Sequence, residues 1–316
     1  MATELWWLAM SKAADARTVG ICACKWVLFV AVWHAHPLVW IVLRPCLVFA
    51  MALWGFFVAA VVHNAMHRDV FIERVVETVW RVILSSTFGF PVEAYKPTHN
   101  LNHHVHTQHE EDHLHTAQMN YKSPLLNLVF FFPTVYPGIC RLEKEFLSRE
   151  LSNFCHRRSS RLPLFVLQAV AAHATTIFIM LVDWRRGLVY WIIPNLLAVD
   201  GIITMNMLQH DGCETIARGE HRGSKMNINS ARNFTGPIQN WFFCNNGYHT
   251  IHHMYSTAHW SELPAMHSKM VEPYIHPMLV EPCVVRYVWR TYVWPGLGPS
   301  PRLDIDGREA SSVKDQ

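Results

Sequence analysis

The sequence predicts an all-α integral membrane protein: four transmembrane helices in two hairpins, a cytoplasmic histidine-rich cap, and further helices lying in the membrane interface. Three observations lead there. Only 16% of the 316 residues are charged and 51% are hydrophobic, whereas an average soluble domain is about 25% charged. Leu162–Val182 and Gly187–Met207 hold between them a single formal charge, Asp200, and each has the roughly 20 apolar residues that a bilayer core requires. The chain also contains 21 histidines, clustered rather than scattered.

Taken in chain order, the first span falls at about residues 20–36, in a ragged stretch that includes Lys25, His34 and His36. The second is residues 45–62, the third 162–182 and the fourth 187–207. Asp183–Arg186 links the last two into a hairpin. A soluble all-helical core is the alternative, but charge-free runs of this length are rare in one. Val70–Phe90 mixes Glu73, Arg74, Glu77 and Arg81 with apolar residues, and Leu125–Ile139 holds two prolines and is too short to span. Both suit helices lying in the interface. Residues 1–294 read as a single membrane domain, and the polar tail 295–316 reads as disordered. No internal repeat is present.

Charge placement orients the spans. Four crossings put both termini and residues 63–161 on one side. Leaving aside Lys25 within the first span, all but three of the 27 Lys and Arg residues then share that side, the exceptions being Arg44, Arg185 and Arg186. Positive charge marks the cytoplasmic face. The formal net charge of +3 and the lack of a basic run argue against nucleic acid as a partner. The eight cysteines include no CxxC pair, and Cys22 and Cys24, a CxC in an apolar stretch, read as packing residues. All eight are expected to be reduced. Met1–Arg17 lacks a basic segment followed by a cleavage site, so no signal peptide is expected.

Three histidine clusters stand out: His63-Asn-Ala-Met-His67, His99-Asn-Leu-Asn-His103-His104 and His249-Thr-Ile-His252-His253. Spacings of three and four stack side chains on one helix face, and each extra adjacent histidine turns about 100° further round the helix. That arrangement suits metal held between helices. One such cluster is weak evidence, since a lone HxxxH is usually coincidence or a surface pair. Three clusters, with His210 at the corresponding end of the last span, meet at one membrane face. Nine imidazoles exceed the four or so ligands that one zinc takes and match two metals. None of the clusters reads HExxH, because Asn64, Asn100 and Thr250 stand where the glutamate base of a zinc protease would be.

HNAMH, HNLNHH and NNGYHTIHH resemble the three histidine boxes of the membrane fatty acid desaturase family, which includes alkane monooxygenase relatives. The resemblance covers roughly Pro45–Pro264. It implies two non-haem irons bound on the cytoplasmic side of four transmembrane helices. By position the implied ligands are His63, His67, His99, His103, His104, His249, His252 and His253, with His210 matching the family's additional ligand. Asn206 matches the water-linked asparagine of the stearoyl-CoA desaturase branch. The second box departs from the commoner form, since three residues separate His99 from His103. That spacing resembles the alkane hydroxylases and some desaturases.

The implied chemistry is O2-dependent attack on an unactivated C–H bond of a lipid or fatty acyl chain entering from the bilayer. Desaturation to an alkene is the first reading. Hydroxylation of a fatty acid, alkane or carotenoid is the second. A membrane metal transporter or histidine-based sensor is the non-enzymatic alternative, but it would string ligands along a path through the bilayer. A zinc-dependent lipid hydroxylase of the sterol type has similar boxes, and Asn206 with His210 argues against it. Imidazole nitrogen suits iron, copper and zinc alike, so the assignment of iron rests on the resemblance. The chain shows no haem motif, no flavin or nicotinamide fingerprint and no rubredoxin-like cysteine pair. Electrons are therefore expected from a separate protein of cytochrome b5, ferredoxin or rubredoxin type. The expected location is the endoplasmic reticulum in a eukaryote or the inner membrane in a bacterium.

Several polar residues remain. His106, His109, His113 and His115 read as an exposed polar loop, with a proton path or support for the ligands as the alternative. Glu110 and Asp112 sit where carboxylates would orient ligand imidazoles, or else form a solvated acidic pair. His34, His36 and His173 read as structural. Asp200, an ionisable group within a span, is either functional or paired with a neighbour such as His173.

Overall fold

The computed structural model describes residues 9–119, 121–214 and 228–295. Among them, five helical segments are long and apolar enough to cross a membrane by length and composition. In chain order, α1 is Ala16–Trp33, α2 Pro37–His67 and α3 Arg74–Phe88, and an irregular helix, α4, runs over residues 95–106. Then come α5 at Pro124–Cys155, α6 at Leu162–Val182 and α7 at Trp184–His210. The short helices α8, Pro237–Phe242, and α9, His249–Met254, follow. A two-residue parallel pair, Asn233–Phe234 with Val280–Glu281, is a small exception to the all-helical expectation. Apart from Pro295, the polar tail lies outside the described residues.

Three expectations need correction. The first apolar run forms α1, which ends at Trp33 rather than near residue 36. The second is not 18 residues but the 31 of α2, which begins at Pro37 and runs through Pro45. Pro37 suits a helix start because its missing N–H would be unpaired there, and the His36 ring accepts from the Leu38 N–H at 3.3 Å. Leu125–Ile139 is not a short separate piece, since it opens the 32-residue α5, in which Pro133 and Pro137 are accommodated inside the helix. By contrast, Leu162–Val182 is a helix with the bounds read from its composition.

The chain divides into two compact units, Met1–Lys96 with Lys144–Ile202, and Pro97–Glu143 with Ile203–Gln316. In the first, Phe29, Val32, Met51, Ile179, Tyr190 and Trp191 form an apolar cluster. Gly55 lets α2 lie close to Ala198, for a β-carbon at Gly55 would meet the Ala198 β-carbon at 2.9 Å. Lys25, which made the first run ragged, is buried there, and its ammonium donates to the Thr87 carbonyl at 2.7 Å and to Asn195 Oδ1 at 2.6 Å. A buried cation needs such partners. Asp200 is half-buried and His173 exposed. They form no pair, so that reading of Asp200 falls. All eight cysteines are free.

The second unit carries most of the clustered histidines. Its segments after α7 are short, and they are held by side-chain bonds to backbone. Asn240 Nδ2 donates to the Phe234 carbonyl at 2.7 Å, Asn233 Oδ1 accepts from the Thr250 N–H at 3.0 Å and Gln209 Nε2 donates to the Asn246 carbonyl at 2.9 Å. These bonds tie the chain around α9 to the end of α7.

Candidate metal centre

In the first unit, His63 and His67 occupy the last turn of α2, one helical turn apart, with ring centroids 5.1 Å from each other. The His63 ring also meets Tyr95 at 6.0 Å. Both histidines therefore lie on one face, as the spacing predicts.

The second cluster does not follow α-helical geometry. His99–His103 form a π-helical turn, and the His104 N–H donates to the carbonyl of His99, five residues back. This wider turn brings His104 beside His99. His99 and His104 bring their Nε2 atoms within 3.0 Å of each other, while the ligand atom of His103 joins a different group. The expected stacking of His99 on His103 is present as well, with ring centroids 5.6 Å apart.

Within the second unit, the histidines of the second and third clusters, with His210 seven in all, sort into two groups. In one, His104 Nε2 lies 3.0 Å from that of His99 and 3.1 Å from that of His252. The other contains His103, His210, His249 and His253, all buried, with their candidate ligand atoms within 4.8 Å of one another. His249 Nε2 stands 3.0 Å from that of His210 and 3.1 Å from that of His253. The ring of His103 lies 5.0 Å from His210 and 4.9 Å from His253. Helix α9 supplies both groups: His249 and His253, four apart, face one and His252 the other.

The outer nitrogens of the second group show what the inner ones can do. His103 Nδ1 meets Asp112 Oδ2 at 2.8 Å, and His210 Nδ1 meets the Ser230 carbonyl at 2.9 Å. His253 Nδ1 lies 3.4 Å from Thr107 Oγ1, whose own proton goes to the His103 carbonyl at 2.9 Å. A carbonyl can only accept, so Nδ1 carries the proton and Nε2 is left as a lone pair. The His103 Nε2 is buried with no hydrogen-bond partner. Several lone pairs pointing at one another in a dry pocket repel unless a cation sits between them. Nitrogens bound to an ion at roughly 2.0–2.1 Å stand about 3 Å apart, as these do. The donor set thus fits a metal ion.

Electrostatics favour the same state. Burial works against the Asp112 charge, but the His103 ring and the N–H groups of Gln108 and Leu114 outweigh it and hold the carboxyl below the usual carboxylate range. Burial, together with neighbouring His249, His210, His103 and His252, holds His253 well below the ordinary imidazole value. The ring is neutral and available as a ligand.

Asn206 is buried one turn before His210, with Nδ2 3.4 Å from the Leu114 carbonyl. Its Oδ1 has no hydrogen-bond partner. Glu110 is exposed. His106, His109, His113 and His115 are half-buried rather than loop decoration. His113 lies against α5 so closely that a β-carbon at Gly138 would meet its Nδ1 at 2.8 Å. Sequence reasoning missed Thr107 and Ser230. A hydroxyl four residues after His103 was a readable signal for Thr107. Ser230 acts through its carbonyl, which no residue type announces.

The family model for fatty acid desaturases matches residues 16–281. A comparison with curated proteins gives no match.

Proposed function

The chain belongs to the fatty acid desaturase family, and from that premise we propose that it is an O2-dependent membrane di-iron oxidoreductase introducing a double bond into a lipid acyl chain. The observation that carries the reading is the group of His103, His210, His249 and His253, with lone pairs turned inward in a buried pocket. These four residues hold one iron. His99, His104 and His252 hold the other together with His63 and His67, which are assigned by their place in the family's first box. Irons bound by such a neutral set supply O2 activation and the removal of hydrogen from an unactivated C–H bond.

The protein's own part is positional. Asp112 and the Ser230 carbonyl fix which nitrogen of His103 and of His210 faces inward. Asn206 Oδ1, buried and unpaired, offers an acceptor to a water beside the centre. The substrate is an apolar chain arriving from the bilayer, and electrons come from a separate carrier protein. Residues 1–294 act as one catalytic domain in which four of the five apolar helices span, with the centre and both termini cytoplasmic. Hydroxylation is the second reading, favoured by the three residues between His99 and His103.

Expression in a host without such an activity tests this, with metal analysis of the purified protein and lipid profiling. Two irons per chain and a new alkene are expected, both lost in His103→Ala. A new alcohol selects the hydroxylase. Zinc in place of iron, or an active His103→Ala protein, sinks the di-iron reading.

A further inference from the structure

Arg81 lies on α3, a helix that composition places at the membrane interface, yet its side chain is turned inward and buried. Every arm of its guanidinium is used. Nε donates to Glu77 Oε1 at 2.7 Å and Nη1 to Glu93 Oε1 at 2.8 Å. Nη2 donates to the Ala65 carbonyl at 3.0 Å and to Asp69 Oδ1 at 2.7 Å. The Ala65 contact is the telling one. The last four carbonyls of a helix have no partner within it, and Ala65 sits in the final turn of α2, midway between His63 and His67. Arg81 closes the turn that carries both rings.

The other arm reaches the approach to the second cluster. Glu93 is fully buried in the short turn Val92–Ala94, six residues before His99. It accepts from Arg81 and, at 3.2 Å, from Arg161, and its own N–H donates to Gln168 Oε1 at 2.9 Å. One planar fork therefore joins the turn bearing His63 and His67 to the segment leading into His99. A lysine could supply the charge but not the fork.

We infer that Arg81 is a positioning residue for the metal centre, setting the α2 turn of His63 and His67 against the segment that enters the second histidine box. The inference rests on the reading of those histidines as ligands. The bland alternative is an ion-pair network that only stabilises the fold. Loss of Arg81 from such a network would lower the melting temperature and leave metal affinity unchanged, whereas Arg161, which shares Glu93, serves as the control that bonds Glu93 but not the Ala65 carbonyl.

The test is Co²⁺ titration of the metal-stripped full chain in detergent, read by visible absorption, alongside the melting temperature of the metal-free protein. Changes in groups that orient metal ligands usually weaken affinity by about 10–100-fold, and that loss is expected for Arg81→Lys. Arg161→Lys is expected to bind like the parent. Equal affinity in Arg81→Lys and the parent overturns the inference, as does an equal loss in Arg161→Lys. If Arg81→Lys does not fold, Glu93→Gln replaces it: it keeps volume and breaks the same link, so weakened binding is expected and parental binding overturns the inference. His63→Ala separates the two levels. Weak binding there with normal binding in Arg81→Lys rejects only the role of Arg81, whereas normal binding in His63→Ala rejects the ligand assignment beneath it.

Discussion

At the scale of single residues, the centre depends on which nitrogen of each ring is bare, and that is decided from outside the ring. Asp112 was legible in the sequence as a carboxylate near the second box, and it lies 2.8 Å from His103 Nδ1. The Ser230 carbonyl does the same for His210 and was invisible, because every residue has one. Asp112→Asn keeps the shape but loses the charge that favours the Nδ1–H tautomer. Iron affinity is expected to fall about 10–100-fold, measured as iron retained after dialysis against a chelator; full retention would show that the carboxylate is dispensable. Burial also sets a pH dependence in the metal-free protein. His253 is held well below its ordinary value near 6.5, so as pH drops below about 6.5 the unfolded chain takes up a proton that the folded one refuses. Stability then declines as pH falls. Asp112, whose folded pKa is lowered, adds stability that is lost only below the ordinary carboxylate value of 3.8, outside this window. The melting temperature of metal-free protein is therefore expected to fall from pH 7.5 to 5.5. A flat profile would mean that these rings are hydrated before metal binds.

At the scale of elements, helix bounds were legible where composition alone fixed them, as in Leu162–Val182. They were hidden where a rule of thumb met tertiary context. Proline commonly ends a helix, so Pro45, Pro133 and Pro137 suggested boundaries, yet α2 and α5 run through all three. In an apolar setting, neighbouring groups can satisfy the carbonyls that proline leaves unpaired. The π-turn at His99–His103 was hidden for another reason. A spacing of three residues between histidines reads as an α-helical pair, and only the bond from the His104 N–H to the His99 carbonyl shows the wider turn. Such turns are frequent at functional sites. Here it aims His103 at one group of imidazoles while His99 and His104 join the other. Deleting Asn100 removes the extra residue and invites an ordinary α-helix, rotating His99 by about 100° relative to His103 and His104. The deletion variant is expected to keep its helical content by circular dichroism and to lose at least one of two irons. Two irons per chain in that variant would show that the turn is incidental.

At the scale of the whole molecule, the number of crossings can be argued by parity. His103 and His210 belong to the same unit, and their rings lie 5.0 Å apart, so both sit on one side of a bilayer. Between them the chain passes through α5, α6 and α7, all long and apolar enough to cross. An odd number of crossings would put the two histidines on opposite sides, so the proposed four-span reading requires that one of these helices does not cross. On that reading α5 is the one expected not to cross. Its second half carries Arg141, Glu143, Lys144, Glu145, Arg149 and Glu150, which a bilayer core excludes, while α6 has no formal charge and α7 only Asp200 once past Arg185 and Arg186. With α1 and α2 as the other pair, this reading puts both termini on the histidine side, together with all the Lys and Arg residues but Lys25 inside α1, Arg44, Arg185 and Arg186. Reporter fusions at Met1 and Gln316 are expected to read cytoplasmic alike, and a fusion in the α6–α7 link at Asp183 to read on the opposite face. A fusion after Cys155 decides between α5 and its rivals: a cytoplasmic signal there leaves α5 on the histidine side, and a signal from the far face would mean that α5 crosses and that the pairing of α6 with α7 is wrong.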